Sequence, residues 1–378
     1  MKVVELDRDK DIHGWWKWKY RACPAERLLL NPYAGCSVGC FFCYSRALPG
    51  YHKEAFLKGL VFVWLRFHEG LVKKLDNLSI SPPGYLSPTS DPFQPVNLKY
   101  GLAEKVIRVF VDKNIPILVV TKRSVTEEAL SLLEKQKDSV LEVSLLTLDE
   151  RLRRFLSPGG SSVKELLSSL ERASSRGIHT VLRMDPLLPF LNDREEDMYR
   201  LLKEAKERGV KHVVASCLDI PLRIKRLVFL SLSRWDSSLP FKYERLYKER
   251  ISNSLQADIR YRRELFSKVK DMVNSLKLSL SLCMEFTEDG RNLNELYSTS
   301  RNCEGKTMPI SLKKGKTFLP LPCSNEGSCL TCFNPDCGVS DLAMRGRARY
   351  LSYGDFRRIR VERWTCSLFG SCNPIDRG

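Results

Sequence analysis

Histidine is scarce in this chain. Five occur in 378 residues, and none follows His212. Any metal held beyond that point must take its nearby ligands from sulfur. Long apolar runs are also missing. The stretches 60–65 and 115–120 are core-sized, whereas a membrane-spanning helix needs about 20 apolar residues. The start, Met1-Lys-Val-Val-Glu-Leu-Asp7, is charged at once and has no apolar h-region, so no secretory signal is expected. No low-complexity segment occurs. The expectation is a soluble, cytoplasmic protein with no membrane partner.

Cysteine, by contrast, is abundant: thirteen, an odd number, with more than half from Cys283 onward. Disulfides are rare in a reducing compartment, so metal binding is the better default. Net charge is +17, from 62 Lys and Arg against 45 Asp and Glu. Such an excess suits a polyanionic partner, nucleic acid above all, or else a generally basic solvated surface.

The stretch that organises the chain is Cys36-Ser-Val-Gly-Cys40-Phe-Phe-Cys43. A tight loop at this spacing turns three thiolates toward one point, and thiolates hold iron–sulfur clusters. A four-iron cubane needs four ligands, so three cysteines leave one iron open. Gly35 and Gly39 relieve crowding where the loop curls. The rival is a zinc loop. Structural zinc takes four protein ligands, and the next Cys or His after Cys43 is His52.

In chain order, residues 1–26 form an aromatic and basic segment with Trp15-Trp16-Lys17-Trp18-Lys19-Tyr20 and Cys23. It reads as a packed lid or a base-stacking surface. Residues 28–30 read as a buried strand, 61–67 as another, 70–78 as a helix. Three units then repeat one pattern: helices at 98–113, 162–176 and 194–208 end at Asn114, Gly177 and Gly209, and a β-rich run follows each. With a further strand at 141–146, this alternation predicts parallel β/α units and a partial (β/α)6 barrel over roughly residues 27–220. Chemistry is expected at the carboxyl ends of its strands. Residues 221–276 are basic and read as helical, and 276–284 as a strand. The division expected is 1–26, a barrel with helical extension over 27–285, and a Cys-rich, loop-rich module over 286–378.

That module carries Cys323-x5-Cys329-x2-Cys332-x4-Cys337. The quartet predicts a second metal site, either zinc or an auxiliary iron–sulfur cluster. Cys303, Cys366 and Cys372 have no assigned role. Arg345-Gly-Arg-Ala-Arg349 and Arg357-Arg-Ile-Arg-Val-Glu-Arg363 are candidates to grip phosphates.

Asn31-Pro-Tyr-Ala-Gly-Cys36…Cys43-Tyr44, Thr89-Ser-Asp-Pro-Phe-Gln-Pro95, Thr121-Lys122, Ser144-Leu-Leu-Thr147 and Asp185-Pro-Leu-Leu-Pro189 occur in order. Together they resemble the spore photoproduct lyase-like branch of the radical S-adenosylmethionine (SAM) superfamily, over about residues 27–216. The resemblance implies a [4Fe–4S] cluster on Cys36, Cys40 and Cys43, with SAM on the open iron. It implies reductive SAM cleavage to a 5′-deoxyadenosyl radical that takes hydrogen from a substrate. It also implies an electron donor such as a ferredoxin or flavodoxin. Carried over residue by residue, Phe42 lies against the adenine and Lys122 pairs with the SAM carboxylate. Ser90, Asp91 and Ser144 are polar contacts to SAM, and Arg183 contacts SAM or substrate. A turn-capping role is the rival for Asp91.

Two departures bear on the substrate. In true spore photoproduct lyase a cysteine that donates hydrogen precedes the Thr-Ser-Asp stretch; here that residue is Pro88. Asn97 stands where relatives carry an acid after Gln-Pro. Cys217 and Cys283, both at predicted strand ends, are the substitute donors, with a buried core thiol as the plain alternative. Charge and resemblance favour a nucleic-acid substrate. A peptide substrate with an auxiliary cluster, and a non-enzymatic zinc-stapled nucleic-acid-binding protein, are the rivals.

Overall fold

Seven short apolar runs build one sheet. They are β1 (Leu28–Leu30), β2 (Gly84–Leu86), β3 (Ile117–Thr121), β4 (Val140–Ser144), β5 (His179–Leu187), β6 (His212–Cys217) and β7 (Ser279–Leu282). Each pairs parallel with the next in chain order. The computed structural model describes residues 1–12, 17–18, 21–22, 27–325, 329–345, 351–359, 361, 364–366 and 372–374. Trp15, Trp16, Tyr20, Cys23, Arg347, Arg349, Arg360 and Arg363, and the side chains of Cys366 and Cys372, lie outside them.

Parallel strands covered on both faces read as continuous apolar runs rather than alternating ones. Ile117-Leu-Val-Val-Thr121 is such a run. The crossovers are α1 (Leu102–Asp112), α2 (Glu127–Leu133), α3 (Glu150–Leu156), α4 (Val163–Ser175) and α5 (Glu195–Glu207). Their boundaries follow local chemistry. Ser162 and Glu165 close a capping box at the start of α4, which satisfies otherwise orphaned backbone donors. Gly177, at φ +76°, ends that helix where a left-handed residue is needed. The result is an α/β partial barrel of sequential parallel strands. The sheet reaches seven strands because the run read at 276–284 joins it beside β6.

Two stretches differ from the sequence reading. The strand read at 61–67 forms as Leu60–Trp64, but in a side sheet, parallel to Lys2–Leu6 and antiparallel to Tyr33–Ala34. The basic extension is not all helix. Lys225–Trp235, Leu239–Leu246 and α6 (Ile259–Ser275) are joined by a small antiparallel sheet of Ile220–Pro221, Glu249–Ile251 and Ser254–Gln256. Ser252, at φ +58°, makes the tight turn that periodicity alone could not show.

The amino end of the barrel is floored by a segment from far down the chain. His212 Nε2 lies 2.9 Å from the Cys303 carbonyl and 3.0 Å from Ser281 Oγ, and Nδ1 lies 2.8 Å from Ser279 Oγ. A carbonyl only accepts, so the neutral ring carries its proton at Nε2. Burial pulls the His212 pKa down to about 3. Gly305, at φ +67°, packs so closely that a Cβ there would sit 2.4 Å from the imidazole. Beside it, Glu304 pairs with buried Arg27, and its carbonyl meets His179 Nε2 at 2.7 Å. The hairpin of Ser311–Lys314 and Thr317–Pro320 then pairs onto Ile80–Ser81.

Candidate active site

The three-cysteine loop leaves the Tyr33–Ala34 strand and is clamped from four sides. Gly35, at φ +94°, sits so near the Leu60 carbonyl that a Cβ would be 2.3 Å from it. Gln94 is fully buried; its Nε2 donates to the Gly35 carbonyl at 3.2 Å and its Oε1 accepts from the Ser37 amide at 3.0 Å. The Gly159 amide donates to the Val38 carbonyl at 2.9 Å. Arg46 donates to the Cys40 carbonyl at 2.8 Å. The loop is therefore held by its backbone, which leaves the thiols to face inward.

Cys40 is buried, and Cys36 and Cys43 are half-buried. Cys40 Sγ lies 3.2 Å from Ser157 Oγ. Burial raises the Cys36 thiol first, with the Asp91 carboxylate adding to it and Cys43 and Cys40 within electrostatic reach. Burial raises Cys40 too, while Lys122 draws it back. Thiols are soft ligands, and a bound metal deprotonates them even where burial raises their pKa, as it does at Cys36 and Cys40. Ser37, Ser87 and Ser90 each bury a hydroxyl with no hydrogen-bond partner. Phe42 is buried, edge-on to Phe41 at 5.2 Å.

Lys122 follows β3, as the sequence implies. It shares a small pocket with Ser144, Leu145, Arg153, Ser157 and Gly160. Its charge reaches Cys40 on one side and Asp185 on the other. Asp91 takes up the turn-capping role raised for it. Its carboxylate accepts from Thr121 Oγ1 at 2.9 Å, the Lys122 amide at 2.7 Å and the Phe93 amide at 3.0 Å. It fixes the strand end that carries Lys122. Asn97 has a comparable framework role, accepting from the Tyr33 hydroxyl at 2.7 Å and donating to Glu104 at 2.8 Å.

Inside the barrel, side chains alternate along each strand. Leu118, Val140, Val181 and Val214 form an apolar layer against Tyr85 and Cys283. With them lies a polar cluster. Arg183 donates to Glu142 Oε2 at 2.7 Å and to Cys283 Sγ at 2.9 Å, and pairs with Asp185. Ser216 donates to Asp185. Glu142 is fully buried, and its Oε1 has no partner. Burial raises the Glu142 pKa, with Arg183 opposing. Asp185 is lowered: burial raises it, but Arg183, Ser216 and Lys122 together outweigh that. Tyr44 and Tyr85 bring phenols within electrostatic reach of Cys283 and Arg183.

The two candidate hydrogen donors separate here. Cys283 faces the barrel interior beside Arg183. Cys217 is 2% exposed, and its thiol sits among Glu285, Arg262 and Tyr247, in the packing behind the strand. Sequence reading missed Glu142, Gln94 and the Ser157–Gly160 turn. A lone acid inside an apolar strand was the available signal for Glu142.

In the C-terminal quartet, the Cys332 amide donates to the Cys329 carbonyl at 3.2 Å. Burial pushes the Cys337 thiol up to about 11, with Cys323 and Cys332 in reach. Among the described residues, neither in this quartet nor at Cys36, Cys40 and Cys43 do three such side chains stand close round one point as ligands of a single ion do. Cys366 and Cys372 stand opposite each other in a two-stranded ladder.

Fold and loop define a parallel α/β barrel with a three-thiol loop at its rim. Residues 30–202, a little under half of the chain, match the family model of the radical SAM superfamily, so this segment is a radical SAM domain. That superfamily implies a [4Fe–4S] cluster and SAM. The chain is 25% identical over 391 residues to the "Radical SAM Nalpha-GlyT isomerase" of Pseudomonas phage M6, covering 94% of this chain and 78% of the relative. In fold it resembles spore photoproduct lyase complexed with dinucleoside spore photoproduct. The TM-score is 0.56 at 14% identity, over 74% of this chain and 82% of that one. A lyase variant with bound AdoMet and the dinucleoside gives 0.53 at 14% identity, over 72% and 79%.

Proposed function

We propose that this enzyme holds its cluster on Cys36, Cys40 and Cys43 and acts on a nucleic-acid substrate, moving a hydrogen atom in a rearrangement or repair of the base or sugar. The supporting observation is the reach of Lys122: its charge acts on the Cys40 thiol and on Asp185, which belongs to the Arg183–Cys283 cluster. Cofactor side and substrate side thus meet at one residue. The buried, unpartnered hydroxyls of Ser37, Ser87 and Ser90 and the three thiols fit a cluster and SAM.

When bound, the cluster and SAM supply one-electron cleavage and a carbon radical able to take hydrogen. The chain's residues do the rest. Lys122 binds the SAM carboxylate, and Ser90 and Ser144 offer hydroxyls to SAM. Asp91 positions Lys122 through its backbone. Phe42 supplies an apolar wall. The Arg183 cluster orients the substrate, and apolar inward side chains exclude water. Cys283 is the hydrogen donor: its S–H bond breaks, a C–H bond forms on the substrate radical, and the unpaired electron passes to its sulfur. The likeness to a named isomerase over most of the chain supports a rearrangement in particular. On the strength of its sequence spacing alone, the quartet Cys323, Cys329, Cys332 and Cys337 is assigned a second metal, zinc or an auxiliary cluster, which iron, sulfide and zinc analysis of anaerobically purified protein tests. An acidic one-electron donor protein reduces the first cluster.

The test is 5′-deoxyadenosine production under dithionite with DNA, RNA or a peptide library added. DNA or RNA should stimulate it in the intact chain, and the triple Cys36→Ala, Cys40→Ala, Cys43→Ala variant should make none. Stimulation by peptides alone would move the substrate class.

A further inference from the structure

Residues 221–263 carry eleven Lys and Arg against four Asp and Glu. That is seven of the seventeen net positive charges, held in a small part of the chain. Buried Arg262 is committed to Glu249 and Glu285, and Arg260 pairs with Asp258. Arg226, Arg234, Lys242, Arg245, Lys248 and Arg263 are exposed and make no ion pair with a carboxylate among the described residues.

The charges are ordered along two adjoining helices. In Lys225–Trp235, the buried side is Val228, Ser231 and Leu232, which leaves Arg226, Leu227, Leu230 and Arg234 outward at helical spacing. In Leu239–Leu246, Leu239 and Tyr243 are buried, and Phe241 and Arg245 face out. Phe241 is 62% and Leu230 52% exposed. Lys242 lies 5.8 Å over the Phe190 ring and Arg245 5.5 Å over Phe241. Exposed rings covered by cations, on a face with little acid, complement a strand of phosphates carrying bases.

This face adjoins the mouth of the barrel. Tyr243 donates to the Pro189 carbonyl at 2.9 Å, in the loop that follows β5. Arg223 donates to the Ala47 carbonyl at 3.1 Å, in the turn that follows Cys43. A polyanion lying across the two helices therefore passes beside the opening through which its own nucleotide reaches Arg183 and Cys283.

We propose that the outward face of residues 223–250, with Phe190, is the docking surface for the nucleic-acid strand, which crosses it by phosphate contacts and by stacking on Phe190 and Phe241. This rests on the nucleic-acid reading above. It places the phosphate grip beside the barrel mouth rather than on the arginine run that begins at Arg357.

The test uses the full, cluster-loaded chain and short fluorescein-labelled oligonucleotides, single- and double-stranded, in anisotropy titrations across a salt series. If Arg226, Arg234 and Arg245 each neutralise one phosphate, changing all three to Ser flattens the log–log salt slope by about 2.7 on duplex and about 2.1 on single strands. Dithionite-driven SAM cleavage without substrate stays as in the wild type, as does the urea unfolding midpoint. Phe241→Ala weakens single-strand binding by about fivefold or more with the slope unchanged; wild-type binding by it overturns the stacking. A triple variant that binds as the wild type, while Arg357→Ser, Arg358→Ser and Arg360→Ser together flatten the slope, overturns the placement alone. A wild type that binds no oligonucleotide at low salt overturns the nucleic-acid reading and the docking face with it. Intact oligonucleotide binding, with turnover lost only when reduced flavodoxin supplies the electrons, assigns the face to an acidic electron donor instead.

Discussion

Arg183 donates to the sulfur of Cys283 at 2.9 Å, reaching from β5 past β6 to the end of β7. The same guanidinium spans Glu142 and Asp185. One cation thus fixes a thiol and two carboxylates inside the barrel. The planar fork of arginine can serve several acceptors at set angles, which a lysine ammonium on a flexible stem cannot.

Arg183→Lys should keep the charge and lose this geometry. Substrate-dependent turnover should fall by about tenfold or more, the equivalent of one charge-assisted hydrogen bond. Uncoupled 5′-deoxyadenosine formation should persist. Parallel loss of both would show that Arg183 serves SAM rather than the substrate.

Lys122→Ala removes an ammonium whose charge reaches both Cys40 and Asp185. A charge-assisted contact to a carboxylate has a net worth of about 1.5–3 kcal/mol, so SAM affinity should fall about tenfold to a hundredfold. Equilibrium dialysis with labelled SAM reads this directly, and an unchanged affinity would take Lys122 out of the site.

Gly159 lies 123 residues from the cysteine it supports least directly, Cys36, and on no motif. A Cβ there would meet the Ser37 carbonyl oxygen at 2.1 Å. Gly159→Ala should therefore push the thiol loop aside and lower iron content per chain, while far-UV circular dichroism stays that of the folded barrel. Full iron loading would show that the loop yields without losing its ligands.

The fold was legible because its signals are local. Apolar runs such as Ile117-Leu-Val-Val and a stop at Gly177 each announce themselves within a few residues. The thiol loop was legible for the same reason, and so was Lys122, which follows its strand directly. The rest depends on pairs far apart in sequence. Arg27 and Glu304 meet across 277 positions, and nothing near either residue indicates the other. Glu142 lies in a strand whose inward face is fixed only by the register with its neighbours. Cys217 and Cys283 read alike at two strand ends; only packing shows one thiol facing the interior and the other behind it.

His212 gives a pH signature. Its ordinary pKa is near 6.5, and burial holds it at about 3 in the fold. Below pH 6.5 the unfolded chain takes up a proton that the folded chain refuses. Stability from this residue is therefore complete above that pH and is lost as pH falls from 6.5 toward 3. Between pH 7 and pH 5 the loss is about 2 kcal/mol. Urea unfolding of His212→Gln should show a loss over that window smaller by this amount, and equal losses would place the proton elsewhere.

The floor of Cys303, Glu304 and Gly305 has a practical corollary. A chain cut after residue 300 would look like a barrel relieved of an accessory tail. It would in fact be a vessel without a base: His212, His179 and Arg27 would lose their caps together, and solvent would gain a second way toward Glu142. The last fifth of the chain is made last but completes the first-made chamber. A ribosome has to travel well past β7 before there is anywhere dry to keep a radical.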